Sequence, residues 1–182
     1  MAKTIIQVAL LRGINVGGKN PLPMKDLAQM FRQAGCGSVR TYIQSGNVIF
    51  EAPAGATKVA ETVTARIEKQ LGYRIPVVLR TADQLRKTIA ANPYLAGGAD
   101  HKALHVYFLA VAPAAHAIAA LDANRSAPDT FHVRGQEIYL HLPNGMGRTK
   151  LTNAYFDTKL ATICTARNWT TVLKLAEMME AR

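Results

Sequence analysis

Apolar and polar positions along the first 80 residues alternate between two periods. Thr4–Leu11 is a short apolar run, too brief for a helix, and reads as a buried strand. A turn-rich stretch from Gly13 to Pro23 follows. Met24, Leu27, Ala28 and Phe31 then recur at i, i+3, i+4 and i+7, the stripe of an amphipathic helix, with Gly35 and Gly37 as stop residues. Val39–Gln44 and Asn47–Phe50 are two β-rich runs around Ser45-Gly46 and predict a hairpin. Thr57 is placed to cap a second helix with the apolar face Ala60, Val63, Ile67 and Leu71, ended by Gly72. Ile75–Arg80 is a further strand. Pro76 has no N–H to give a ladder, which puts this strand at a sheet edge. The order βαββαβ is that of the split-βαβ, ferredoxin-like arrangement, where the fourth strand is an edge strand.

Beyond residue 80, Thr81-x-x-Gln84 has the form of a capping box for a short helix. That helix should stop near Asn92-Pro93, because the residue before proline avoids helical backbone. Residues 92–102, with Gly97-Gly98, read as a linker. Ala103–Leu121 holds 19 residues without a formal charge, near the ~20 that span a bilayer. Its first part is β-branched and aromatic, and Pro113 opens its alanine-rich second part. Strand then helix is therefore the better reading, and no membrane segment is expected. Thr130–Arg134 and Glu137–Leu142 form another hairpin around Gly135-Gln136. A helix carrying Phe156, Leu160 and Ile163 and a last helix from about Thr170 complete the order βαββαα. TYIQSGNVIFEAP and FHVRGQEIYLHLP echo each other, with Gly46 and Gly135 placed alike before Ile49-Phe50 and Ile138-Tyr139. The expected fold class is α+β: two ferredoxin-like (split βαβ) halves with antiparallel sheets covered by helices. The half 1–80 and the half 103–182 would be joined by a helix and linker over 81–102.

Charge adds a direction. The chain has 182 residues and a formal net charge of +10, and 49% of it is hydrophobic, enough to build a core. Six bases (Lys3, Arg12, Lys19, Lys25, Arg32, Arg40) face one acid, Asp26, in the first 50 residues. Half of the net charge, six minus one, is thus local, and a local positive field favours anionic ligands. Ile5–Leu11, closed by Arg12, reads as a strand and not as a signal peptide. Cys36 and Cys164 form no CxxC pair, which suits structural thiols in a reducing cytoplasm.

The first candidate site is the loop Arg12 to Asn20. Gly13, Gly17 and Gly18 let backbone N–H groups reach an anion, Arg12 and Lys19 supply charge, and Asn15 supplies a hydrogen bond. The loop is neither a Walker A sequence nor G-x-G-x-x-G. Ser45 and Asn47 should lie beside it, because strands one and three run antiparallel and adjacent. Secondary candidates are Arg148 and Lys150 after Gly145-x-Gly147, and Arg167, Asn168 and Trp169 before the last helix. Asn168 or Thr170 also suits a helix cap, and a lone tryptophan at a helix junction suits a packing anchor. No metal is expected: His101 and His105 have helical spacing, but on a strand they stand about 13 Å apart. One carboxylate in the first 50 residues argues against paired-carboxylate chemistry in that half. No catalytic residues and no cofactor are identifiable.

LLRGINVGGKN followed by TYIQSGNVIF resembles a bacterial family of proteins of unknown function, number 1697 in its series. The likeness continues through Asn92-Pro93, Tyr139…Pro143-x-Gly145 and TARNWTTVLKL. The resemblance implies a two-part α+β fold and a cytosolic bacterial protein, with no activity or catalytic residues to carry over. The residues themselves point to a small basic protein binding an anionic small molecule (a nucleotide, or a phosphorylated or carboxylated metabolite) at the loop after strand one. An enzyme acting on such a molecule, an RNA-binding module and a protein-interaction module remain alternatives. The aromatic motif of RNA-recognition sheets is absent.

Overall fold

The computed structural model describes residues 4–52 and 58–181. The chain divides into two compact units, Met1–Arg86 with Leu175–Arg182, and Lys87–Lys174. Residues 92–102, read as a linker, thus belong with the second unit, and the last helix is shared between the units.

In the first unit, β1 (Ile5–Leu11), β2 (Gly37–Tyr42), β3 (Asn47–Ala52) and β4 (Val77–Thr81) form one antiparallel sheet in the order β2-β3-β1-β4. Helices α1 (Met24–Gln33) and α2 (Val59–Leu71) cover one face. Pleating sends Ala9, Leu11, Val48 and Phe50 to that face, where they meet Leu27 and Phe31 of α1 and Val63 and Ile67 of α2. The rings of Phe31 and Phe50 lie 5.0 Å apart. On α2 the buried residues are Val59, Val63, Thr64 and Ile67, while Leu71 is exposed. The apolar face therefore starts one residue before the expected Ala60. Gly72 ends the helix with φ +77°, a left-handed cap that glycine adopts without a Cβ clash. The expected cap, Thr57, lies outside the described residues. Strand β4 is an edge strand, and Pro76 immediately precedes it.

Helix α3 (Ala82–Ala90) follows β4 without a break. Its start is a true capping box: the Thr81 amide donates to Gln84 Oε1 at 2.8 Å, and the Gln84 amide donates to Thr81 Oγ1 at 3.2 Å.

In the second unit, β5 (Leu104–Leu109), β6 (Thr130–Arg134), β7 (Glu137–His141) and β8 (Cys164–Asn168) form an antiparallel sheet in the order β6-β7-β5-β8. Helix α4 (Ala115–Ala119) is one short turn, with Pro113 just ahead of it. Helix α5 (Asn153–Leu160) packs Phe156 against Tyr107 and Phe131, ring to ring at 5.4 and 5.5 Å. Helix α6 (Trp169–Glu180) closes the chain.

Strand β8 corrects the expected βαββαα order to βαββαβα. Phe156, Leu160 and Ile163 mimic helical spacing, but Ala161 adopts φ +51° and ends α5, leaving Ile163 exposed outside the helix. The strand that follows, CTARN, has one β-branched residue, Thr165, and no aromatic, too little of the composition that marks a strand in sequence.

With β8 in place the two units repeat one register. Val8 pairs with Ile49 and Arg80, and Val106 pairs with Tyr139 and Arg167. At the end of each central strand the same two backbone bonds recur. Leu11 donates to Gly46 and Arg12 to Pro76; Leu109 donates to Gln136 and Ala110 to Ile163. Gly46 thus corresponds to Gln136, and Ile49 to Tyr139, one residue later than the sequence echo places them. The caps repeat as well, since the Thr171 amide donates to Asn168 Oδ1 at 2.8 Å. Arg80 and Arg167 are both buried, each with Nη1 donating to the preceding carbonyl.

Thr81→Ala and Asn168→Ala should each lower stability by about 1 kcal/mol through loss of the cap. Urea unfolding of each single variant checks this; an unchanged midpoint in both would leave the caps without energetic weight.

Candidate functional site

The β1–α1 connection is a small hairpin set on the end of the sheet. Ile14 is fully buried and anchors it. Beyond Ile14, the Asn15 amide donates to the Asn20 carbonyl at 3.2 Å and the Lys19 amide to the Val16 carbonyl at 3.0 Å. Gly17 and Gly18 form the turn with φ +57° and +74°. Two successive positive φ angles define a type I′ turn, which suits the twist of a hairpin and strongly favours glycine.

The base of this finger is held by side-chain amides. Asn15 Nδ2 donates to the Leu22 carbonyl at 2.8 Å and to the Gln44 carbonyl at 2.9 Å, and Asn15 Oδ1 accepts from the Leu22 amide at 2.8 Å. Asn20 Nδ2 donates to the Gly13 carbonyl at 3.0 Å. Both asparagines sit at positive φ, which their side chains tolerate better than most. The Tyr73 hydroxyl donates to the Pro21 carbonyl at 2.6 Å and fastens the segment that leads to α1. The amide of Asn15 therefore braces the loop. The tip, Val16 to Lys19, is exposed, with Val16 at 60%.

Asn47 lies where strand adjacency places it, paired with Leu10 at the finger end of β1. It is fully buried, and its Nδ2 donates to the Tyr42 carbonyl at 3.1 Å and to Ser45 Oγ at 3.0 Å. Asn47 and Ser45 thus shape the β2–β3 turn. A Cβ on Gly46 would come within 2.7 Å of Leu11 Cβ, at a backbone φ of +78°. In the same turn, Ile43 holds φ +46° while 48% exposed. Positive φ is a genuine outlier for a β-branched residue. Sequence patterning has no signal for it.

The helix-dipole contribution to this site is modest. The Pro23 carbonyl accepts from the Asp26 and Leu27 amides, and Asp26 already puts a carboxylate in the first turn of α1. A groove of about 940 Å³ opens at the other end of the sheet, among Arg32, Ser38, Arg40, Ile49 and Glu51. Arg40 there donates from Nη2 to the Met178 carbonyl at 2.6 Å, satisfying a carbonyl in the last turn of α6.

The secondary candidates separate into two environments. Arg167, Asn168 and Trp169 lie in the body of the second unit. Trp169 is fully buried with its ring 6.4 Å from that of His101, and Asn168 caps α6. Arg167 Nη1 donates to Thr165 Oγ1 and the Ala166 carbonyl, and burial draws its pKa down to about 10. Arg148 and Lys150 are exposed on the turn before α5. Arg125, missed in sequence, joins them: its Nε donates to the Lys150 carbonyl at 3.0 Å. Twenty-five residues separate the two, so no spacing pattern reveals the pair.

Cys36 and Cys164 are buried and form no disulfide, and burial pushes the Cys36 thiol pKa up. His132 and His141 flank the Tyr94 ring at 5.3 and 5.6 Å. Among the described residues no three His, Cys, Asp or Glu side chains gather as metal ligands, and no helix is long and apolar enough to cross a membrane.

The comparisons agree with this fold. Residues 5–139 match the family described as "Protein of unknown function (DUF1697)". The conserved bacterial protein SP0830 from Streptococcus pneumoniae has a solved structure that superposes with a TM-score of 0.72 at 19% identity. The match covers 98% of this chain and 100% of that one. No curated protein matches the chain.

Gly46→Ala should cost about 2–4 kcal/mol, since it combines a left-handed backbone with a clash against Leu11. Gly18→Ala, whose Cβ would meet nothing within 4 Å, should cost only the backbone term of about 1–2 kcal/mol. Chemical denaturation of the two variants checks the ranking, and the reverse order would show that Gly46 does not lock the finger to the sheet.

Proposed function

The chain belongs to the DUF1697 family, and we propose that it is a small binding protein that takes an anionic group at the tip of the finger after β1. One observation carries this reading. The duplicated frame joins its central strand to the next helix with five residues, 110–114, in the second unit, but with twelve, 12–23, in the first. The shorter connection shows that the frame closes without a finger, so the added residues answer to something other than closure.

The tip has the chemistry of an anion site. Gly17 and Gly18 have no side chains to cover their backbone N–H groups, which make no hydrogen bond among the described residues. Lys19, exposed, follows them directly in the chain, and Arg12 precedes the finger at the end of β1. Two backbone amides, an ammonium and a guanidinium are donors that suit a phosphate or a carboxylate. The excess of six bases over one acid in residues 1–50 adds a longer-range attraction. We place the protein in the bacterial cytoplasm, which suits two cysteines that form no disulfide.

Titration with ATP, inorganic phosphate and citrate, followed by thermal shift and calorimetry, tests the reading. At least one should raise the melting temperature by mass action. Lys19→Ala should weaken that binding by roughly tenfold, the scale of one charge-assisted hydrogen bond, while changing stability by less than about 0.5 kcal/mol. Equal affinity in the wild type, Lys19→Ala and Arg12→Ala would show that the finger is not the anion site.

A further inference from the structure

The second unit carries a basic cluster that uses no residue of the finger. Arg125 lies with its guanidinium carbon 4.2 Å from the centre of the Tyr155 ring. Its Nε donates to the Lys150 carbonyl, which fixes the plane of the fork. Tyr155 is held in turn, because its hydroxyl accepts from the Asp122 amide at 2.9 Å and its own amide donates to Thr152 Oγ1. Ser126 Oγ accepts from the Lys150 amide at 2.9 Å and donates to Asp129 Oδ2 at 2.7 Å. The two loops that present Arg125 and Lys150 are thus bonded together before any ligand arrives.

This arrangement leaves the cations turned outward. Arg125, Arg148 and Lys150 are exposed. The two Nη groups of Arg125 and the side chains of Arg148 and Lys150 have no partner among the described residues. The nearby carboxylates are engaged: Asp129 is buried on Ser126, and Asp122 accepts from the Asn124 amide. Thr152, two residues after Lys150, caps α5, so the positive end of that helix adds to the same field. An arginine stacked on an aromatic ring with its fork aimed at solvent is preorganised for a phosphate oxygen pair. Its outer face is a platform on which a base can stack.

We propose that Arg125, Arg148 and Lys150 form a binding surface for the phosphodiester backbone of a single nucleic-acid strand. Three exposed cations on two loops bonded together supply more positive charge than one small phosphate needs, and suit a run of phosphates. The surface is independent of the finger and stands or falls separately from it.

Fluorescence anisotropy with a labelled oligothymidylate of about a dozen nucleotides tests this in the full chain, between about 50 and 200 mM salt. Affinity should fall with salt, with a log–log slope of roughly 0.7 per phosphate contact and so about 2 for three contacts. The R125A/R148A/K150A variant should lose most of that slope and at least about tenfold in affinity at the lowest salt. R148A/K150A removes only exposed side chains without partners, so it should lose about two thirds of the slope with the fold intact by circular dichroism. Lys19→Ala should keep the slope of this surface. No oligonucleotide binding at low salt, or equal binding by the wild type and both multiple variants, overturns the proposal. Loss of ATP binding in the triple variant with unchanged oligonucleotide binding also overturns it, and reassigns the surface to small phosphates.

Discussion

The amide of Leu11 donates to the carbonyl of Gly46, and the next amide, that of Arg12, donates to the carbonyl of Pro76. These two bonds close the end of the central strand against both of its neighbours. Everything at that end depends on them. They bring the β2–β3 turn against the start of the β1–α1 connection, where Gly46 leaves just enough room for Leu11 and Ile14. Asn15 can then reach the Gln44 carbonyl, and the finger gains a base. A side chain at Gly46 would separate the strand end from the turn and loosen each of these contacts in sequence.

The second unit has the same two bonds, from Leu109 and Ala110, on a frame of the same strand order. It therefore serves as an internal control for the first. Both units keep a buried arginine paired opposite a valine of the central strand and a capped helix directly after the edge strand. They differ in elaboration. The first unit extends its β1–α1 connection into an exposed hairpin. The second keeps that connection short and instead knits residues 122–130 to residues 148–152 through Ser126, Asp129 and Tyr155. Each unit thus carries some exposed cations, Lys19 in the first and Arg125, Arg148 and Lys150 in the second, on loops outside the shared frame, where function tends to reside.

Much of the frame was legible because its signals are local. The i, i+3, i+4, i+7 stripe of α1, the Thr81–Gln84 box and the proline before β4 each act within a few residues, and each is present. Strand β8 was hidden because its residues, Cys164 to Asn168, have little strand preference of their own; pairing with β5 makes it a strand. The face of α2 was displaced by one residue, because Val59 takes the first buried position. Around the finger, composition marked the loop as a candidate but not the division of labour within it. Asn15, Ser45 and Asn47 look like ligand donors in sequence, and only the three-dimensional bonding shows them holding the loop and turn. Arg125 could not be read at all, since its link to Lys150 and Tyr155 crosses 25 to 30 residues.

The finger and the β2–β3 turn against which it is braced are also costly to build. Asn15, Asn20 and Ile43 all adopt positive φ within one small region, and such positions each cost on the order of 1 kcal/mol or more. Residues in these conformations persist where surrounding bonds over-determine them, and here the asparagine amides and the Tyr73 hydroxyl do so. A connection needed only to join a strand to a helix gains nothing from that strain, as the five-residue counterpart in the second unit shows. The strain does gain a fixed shape: an exposed Gly17-Gly18 turn flanked by Val16 and Lys19, which would lose little freedom on meeting the anion proposed for it. Prepaid ordering of that kind lowers the entropic cost of binding. On the proposed anion-binding reading, that saving is what a rigid, exposed and basic tip gains over a short loop that would close the fold.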